Sequence, residues 1–431
     1  MLLNKLSRIW ENEQTPFYYD EKTSLRFKDI QKIKVFGIEN LTQGDVVALI
    51  GDFDPESICT LLKLIDHGCI VVPLTFETEN QHEYFLKESK AQFVFIRNKL
   101  ERIISKEKIN HPLLDKLRNK NNPGLVLFTT GTTGLPKAIL HDFAPFIRRY
   151  STPRPSLKSL SFLLFDHIGG INTLLHMLFN KGSVVSIKNR GVKNILDLCD
   201  KYSIELLPTT PTFLRMLSLY PNIGNLLPKS LKIISYGTER LDQPTLNFLC
   251  KKFPKIDFRQ TYGMSELGIL RVKSESRQSL YMKIGGEGVQ WKVINKILYI
   301  KAENKMIGYL NADSPFDKDG WYCTKDLIQQ KDDLIKVIGR ESDVINVGGL
   351  KFLPAEVEKV CLEYQGVAHV KVIGKSNPIT GQHPEVIVEK SGDEFNEKEF
   401  LKYLKDNLPR HMVPLRILFK KIELSHRFKK L

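Results

Sequence analysis

The sequence predicts an α/β protein with one large and one small domain, on three observations. Residues 45–74 read as strand, helix and strand in immediate succession, the pattern of a βαβ unit with a parallel sheet. An apolar run, Leu125-Val126-Leu127-Phe128, reads as a buried strand and enters a loop rich in glycine and threonine. With 431 residues the chain is long enough for more than one domain, each with a sizeable core.

The elements follow in order. Asp45 to Asp52 is a buried strand ending in a turn, and Pro55 to His67 has helical spacing with Gly68 placed to stop it. Residues 69–74 are the second strand. Beyond the 125–128 strand, residues 160–165 read as another strand, delivering Asp166 and His167 ahead of Gly169-Gly170. A strand near 184–187 and a helix near 195–201 come next, then a helix opened by residues 208–212 and running through Leu217. Residues 231–239 form a strand running into a glycine turn, and alternation over 293–300 marks a hairpin region. Pro354 starts an amphipathic helix through Leu362 with acidic residues in its first turn. Strands near 367–373 and 385–388 and a helix near 396–408 complete a small α+β unit.

The loop Thr129, Thr130, Gly131, Thr132, Thr133, Gly134 has the chemistry of a polyphosphate cradle. Glycines let backbone N–H groups approach an anion, threonines add short hydroxyl donors, and Lys137 adds a compact positive charge. The P-loop spacing G-x-x-x-x-G-K-[ST] is absent, because Gly134 is followed by Leu-Pro-Lys. Tyr262-Gly263-Met264-Ser265-Glu266 is a second candidate: Ser265 can bond a phosphate oxygen, and Glu266 is a hard oxygen ligand of the kind Mg²⁺ takes beside a polyphosphate. Residues 320–327, GWYCTKDL, and 338–358, IGRESDVINVGGLKFLPAEVE, are further turn-rich segments with charged residues at fixed offsets.

In this order, these segments resemble the signatures T-S-G-T-T-G-x-P-K-G, Y-G-x-T-E, G-W-x-x-T-G-D and G-R-x-x-D-x-I-x-x-G-G-x-K-x-x-P-x-E-V-E of the adenylate-forming (AMP-binding) superfamily of acyl-CoA synthetases, luciferases and peptide-synthetase adenylation domains. The resemblance runs from about Asp45 to the end. It implies a large domain over residues 1–340 of parallel and mixed sheets with helices, and a small mobile α+β domain over 341–431 that rotates about a hinge near Ser342. It places the adenine against Tyr236, Gly237, Thr238 and Glu239, through backbone groups and with the Tyr236 ring either stacked there or simply in the core. Tyr262, Gly263 and Ser265 join the nucleotide site, Asp326 takes the ribose hydroxyls, and Arg340 reaches ribose or phosphate. His167 becomes a gate to the acyl pocket, although Asp166 beside it leaves an amino-acid substrate open. Lys429, or alternatively Lys430, falls where the family carries its adenylation lysine. Departures from the family pattern are Thr130, Ala138, Ser265, Lys325 in the usual glycine position, and Ser342 at the hinge.

The implied reaction is ATP-dependent activation of a small-molecule carboxylic acid to an acyl-adenylate, with Glu266 holding Mg²⁺ and Lys429 and Lys137 offsetting charge. Transfer to the thiol of coenzyme A would follow, an acid–thiol ligase. A carrier-protein phosphopantetheine as acceptor is the alternative, and a lapsed nucleotide-binding protein the rival from outside enzymology. A net charge of +15 is spread along the chain without a dense basic block, which argues for anionic substrates or an acidic carrier and against nucleic acid. The six cysteines form no C-x-x-C pair, so neither zinc nor redox chemistry is indicated and buried reduced thiols are expected. No apolar stretch has the length of a membrane span and the N-terminal residues lack a signal-peptide pattern, so a cytoplasmic location is expected.

Overall fold

The computed structural model describes residues 2–129, 134–392 and 395–425. The βαβ unit forms as the periodicity predicts. Val46–Ile50 and Ile70–Leu74 pair in parallel, joined by the Pro55–Asp66 helix. Asp54 caps that helix, its carboxylate accepting from the Ser57 N–H at 2.8 Å, and Pro55 supplies the preset φ of a first helical residue. Gly68, with φ +85°, ends it. Every residue of both strands is buried, as expected for strands covered on two faces.

These strands belong to a mixed seven-stranded sheet. Gly124–Phe128 lies beside Ile70–Leu74 in parallel and turns back, antiparallel, into Ala138–Asp142, which is edged by Gly308–Tyr309. A second seven-stranded sheet carries Leu206–Thr209, Ile233–Tyr236 and Asp257–Gln260 in parallel register, so that Thr209, Tyr236 and Gln260 stand level at their C-terminal ends. A third sheet of six antiparallel strands includes the Val289–Ile294 and Ile297–Ala302 hairpin and the long pair Tyr322–Lys331 and Leu334–Arg340.

The predicted strand over 160–165 is shorter than its apolar run implies. Strand pairing covers only Lys158–Leu160, and Ser161 to Phe165 continue as buried irregular chain. Its neighbour Ser183–Val185 offers just three partners, and burial of Phe162, Leu164 and Phe165 satisfies the apolar run without a ladder.

The C-terminal part is a separate small α+β unit with its own core, built on Val357, Val370, Val386, Phe400 and Leu404. Strands Val367–Asn377 and Gly381–Lys390 pair antiparallel, and helices Pro354–Glu363 and Glu397–Asn407 cover them. Gly348 and Gly349, both at positive φ, make the tight turn between Ile345–Val347 and Leu350–Phe352. The N-terminal helix, Leu2–Trp10, docks on the large domain by donating the Trp10 indole N–H to the Leu178 carbonyl at 2.7 Å. No helix among the described residues is long and apolar enough to cross a membrane. Five of the six cysteines are buried and Cys323 is half-buried, all as free thiols.

Candidate functional site

The antiparallel strands on either side of the glycine and threonine loop, Gly124–Phe128 and Ala138–Asp142, are tied together next to it. The Thr129 N–H donates to the Lys137 carbonyl at 3.1 Å, and the Lys137 N–H returns to Thr129 Oγ1 at 3.0 Å. From outside the hairpin, Asn311 Oδ1 accepts the Ala138 N–H at 2.9 Å and the Tyr84 hydroxyl donates to the Pro136 carbonyl at 2.9 Å. Thr130, Gly131, Thr132 and Thr133 lie outside the described residues. Gly134 is exposed, with nothing within 4 Å of where a Cβ would stand, so packing imposes no glycine there.

Lys137 leaves the stem with its ammonium 4.8 Å from the centre of the Tyr309 ring. The hydroxyl of that tyrosine donates to Glu266 Oε1 at 2.7 Å. Burial, with the Glu266 carboxylate beside it, pushes the phenol far above its ordinary pKa and keeps it a donor. Tyr309 thus joins the loop lysine to the carboxylate predicted to bind metal, although neither is near the other in sequence. Glu266 is 8% exposed, so it is not a solvated helix-start residue. Among the described residues no three His, Cys, Asp or Glu side chains cluster as a metal-binding group. Glu266 alone fits the usual Mg²⁺ arrangement, in which one carboxylate and substrate phosphates share the ion.

The second cluster forms around Asp326. Its carboxylate accepts from the Tyr262 hydroxyl at 2.6 Å and from Arg340 Nε at 3.2 Å. Burial raises the Asp326 pKa, opposed by the Arg340 charge and by the Tyr262 hydrogen bond. Residue 325 precedes it with φ +58°, so Lys325 adopts the left-handed backbone that the family gives to glycine, with its side chain exposed. Asp326 and Arg340 are also direct partners across the strand pair.

At the level ends of the parallel strands, where ligands of open α/β sheets collect, the chain turns through residues 236–239. Gly237 is required by close approach, because a Cβ there would run into Thr261 Oγ1. Thr238 has φ +70°, unusual for a β-branched residue and a mark of local strain. Tyr236 is 2% exposed and packs in the core of the second sheet, which corrects the stacking expectation: its ring has no open face. The Glu239 carboxylate accepts from the Thr212 N–H at 3.2 Å and hydroxyl at 2.7 Å, tying the turn to the Pro211–Ser218 helix. Gly263 lies exposed in the short strand Gly263–Met264, and Ser265 half-buried in the turn that joins it to Gly268–Ile269.

His167 is the N-cap of the Ile168–Phe179 helix, its Nδ1 accepting the Gly169 N–H at 3.1 Å. Asp166 is 5% exposed whereas His167 is half-buried, so the histidine has the greater access to a ligand. Lys429 and Lys430 lie outside the described residues, and Ser342 is exposed in a short turn, its hydroxyl bonded to Asp343 Oδ1 at 2.9 Å. Sequence reasoning missed Tyr84, Tyr309 and Asn311 as supports. It also missed His141 and Arg149, which carry no local signal. His141 is 1% exposed, with its Nε2 buried and unpartnered and a backbone group of Ser265 facing the ring.

A family model described as AMP-binding enzyme matches residues 36–301, and one described as AMP-binding enzyme C-terminal domain matches 356–429. The chain belongs to the AMP-binding enzymes. Among curated relatives of this AMP-binding enzyme, the 2-succinylbenzoate–CoA ligase of Staphylococcus epidermidis is 25% identical over 310 residues, 67% of this chain and 64% of the relative. The 4-coumarate–CoA ligase 3 of Arabidopsis thaliana is 24% identical over 313 residues, 64% of this chain and 56% of the relative. The matches therefore span less than two thirds of these relatives' own lengths. Solved structures share the fold. MatB from Rhodopseudomonas palustris bound to ATP superposes with a TM-score of 0.79 at 18% identity, covering 99% of this chain and 97% of that one. The o-succinylbenzoate coenzyme A synthetase of Bacillus subtilis, in complex with ATP and magnesium ion, gives 0.76 at 19% identity over 99% and 98%. An AMP-binding enzyme with this sheet arrangement and a smaller C-terminal domain is the architecture that the strand, helix and motif order predicts.

Proposed function

We propose that this AMP-binding enzyme is an acid–thiol ligase. It would convert ATP and a small carboxylic acid into an acyl-adenylate and pyrophosphate, and then transfer the acyl group to a thiol. The carrying observation is the continuous contact from Lys137 through Tyr309 to Glu266, which links a cation that follows a sequence of phosphate-binding composition to a buried carboxylate. In the first step a carboxylate oxygen of the acid bonds to the α-phosphorus and the bond from that phosphorus to the pyrophosphate oxygen breaks. Lys137 neutralises phosphate charge, helped by the 129–134 loop, and Asp326, oriented by Tyr262 and Arg340, accepts the ribose hydroxyls. Mg²⁺, held by Glu266 and the phosphates, would supply charge neutralisation on the leaving pyrophosphate. No side-chain nucleophile is needed, since the substrate carboxylate attacks. In the second step the thiol sulfur bonds to the acyl carbon, the acyl–phosphate bond breaks, AMP leaves and the thiol proton goes to solvent.

Residues 1–340 and 341–431 would act as two bodies turning about Ser342, with Gly348-Gly349 entering the site for the thiol step. Lys429, or Lys430, would approach the α-phosphate in the adenylating arrangement. His167, fixed by its bond to Gly169, would border the acyl path. The thiol is assigned to coenzyme A. A carrier-bound phosphopantetheine offers the same thiol, and the overall charge of +15 suits an acidic carrier equally.

The test is carboxylate-dependent ATP–pyrophosphate exchange over aromatic, aliphatic and amino acids, followed by coenzyme A or a carrier protein. Exchange with one acid class establishes adenylation. Thioester with coenzyme A selects the first acceptor, and thioester with carrier alone selects the second. Nucleotide binding without exchange or thioester would establish a lapsed binder. Glu266→Gln should lower exchange at least ~100-fold and raise the Mg²⁺ concentration needed.

A further inference from the structure

A cavity of about 380 Å³ opens beside the candidate site, large enough for a small organic acid. Its walls come from the stretch after Glu266, the Ile168–Phe179 helix at Asn172 and His176, residues 148–154, and residues 285–289 and 302–304 of the third sheet and its turns. Leu267, Ile269 and Leu270 add apolar side chains to the lining, and Arg148, Arg149, Arg154, Arg271 and His176 make it strongly basic. Two carboxylates, Glu287 and Glu303, also face the cavity. Among the described residues, neither lies within ion-pair distance of any of the four arginines.

Arg149 is the most firmly placed of the four. Its guanidinium lies on the Phe146 ring, 4.9 Å from the centroid. Nη1 donates to the Ile269 carbonyl at 3.2 Å and to Asn172 Oδ1 at 3.5 Å, and Asn172 is itself held by the Tyr150 hydroxyl at 2.9 Å. Nη2 stands close against Gly268, 2.7 Å from the position a Cβ there would take. Nε is buried without a hydrogen-bond partner. A guanidinium held by neutral groups in a largely desolvated place, with no carboxylate to balance it, is costly unless an anion completes it. Burial, together with the Arg271 charge, lowers the basicity of Arg149, as expected of a cation short of a counter-charge.

We propose that the acid activated by this enzyme carries a second anionic group, a carboxylate, which Arg149 receives in this cavity, with Arg271 and His176 also in its lining. This rests on the adenylation reading. The reacting carboxylate would sit toward Glu266, and Arg149, lodged beside Gly268 and Ile269, would receive the second one. Leu267, Ile269 and Leu270, in the same lining, would pack against the carbon skeleton.

The experiment compares diacids with monoamides of the same shape: succinate with succinamate, glutarate with glutaramate, phthalate with phthalamate. Each pair is measured by ATP–pyrophosphate exchange and, with a non-hydrolysable ATP analogue present, by calorimetric binding. The expected result is a diacid preference of roughly 10–100-fold in kcat/KM, from a charge-assisted bidentate contact that the amide cannot make. Arg149→Lys should cut that ratio at least several-fold, and Arg271→Met, at an exposed position, by less. Amides exchanging as well as diacids would overturn the inference while leaving adenylation intact. So would variants that leave exchange unchanged and raise only the KM for coenzyme A, because the arginines would then serve its phosphates. Failure of every acid to exchange would count against adenylation itself. In that event tighter diacid binding, lost in Arg149→Lys, still supports the anion site, and equal or absent binding overturns it.

Discussion

Lys325 carries strain that the family signature avoids. Its φ of +58° costs a non-glycine residue on the order of 1 kcal/mol, and its exposed side chain returns no packing. Lys325→Gly should therefore raise stability by about 0.5–1 kcal/mol, the relief being partly offset by the greater freedom of glycine in the unfolded chain. A higher urea midpoint at unchanged slope would show it, and an unchanged or lower midpoint would contradict it. His141 makes a pH-dependent contribution. Burial holds its ring near a pKa of about 4, against about 6.5 unfolded, so the folded protein keeps it neutral. Between those values the unfolded chain binds the extra proton. Stability should be unaffected above pH 6.5 and fall as pH drops toward 4, by up to about 3 kcal/mol from this residue. His141→Leu should flatten the stability curve in that window relative to wild type, and curves of equal slope would refute the assignment.

Between elements, Arg215 ties the small domain to the large one. Arg215, on the Pro211–Ser218 helix, donates from Nε to the Ala368 carbonyl and from Nη2 to the Val367 carbonyl, both at 2.9 Å. Arg240 and Glu358 add a looser pair at 3.8 Å. If the small domain turns about Ser342, these bonds have to break, so they weight the balance between arrangements. Arg215→Met should increase limited proteolysis around residues 340–350 several-fold while leaving the large domain's cleavage pattern unchanged. Equal cleavage rates would mean that the clamp carries no weight. The strand and helix assignments were legible because each depends on local periodicity. The 160–165 segment was not, since its apolar run serves burial while the short Ser183–Val185 neighbour limits pairing.

For the whole molecule, the division into a large domain and a small one has a chemical test. Lys429→Ala should abolish adenylate formation from acid and ATP, yet leave thioester formation from a synthetic acyl-adenylate largely intact, because the lysine would be needed in one arrangement only. Equal loss of both half-reactions would remove that role, and loss in Lys430→Ala alone would transfer it to the neighbouring lysine. The arginine-lined cavity belongs to this scale too, since its walls come from segments spread over residues 148–304.

The sequence by itself determined the α/β class, the order of the elements, the glycine- and threonine-rich composition of the 129–134 loop, and the place of Glu266, Asp326 and Arg340 in motifs that resemble the family's signatures. Each is written in short-range spacing or in a contiguous string. Only the tertiary structure decided that Tyr236 is core, that Tyr309 links Lys137 to Glu266, and that Arg149 stands against Gly268 with no carboxylate within ion-pair distance among the described residues. The Arg149 bond to Ile269 spans 120 residues, and the Tyr309 bond to Glu266 spans 43. Such contacts arise from how sheets and helices stack, and they leave no periodic or local trace in the chain.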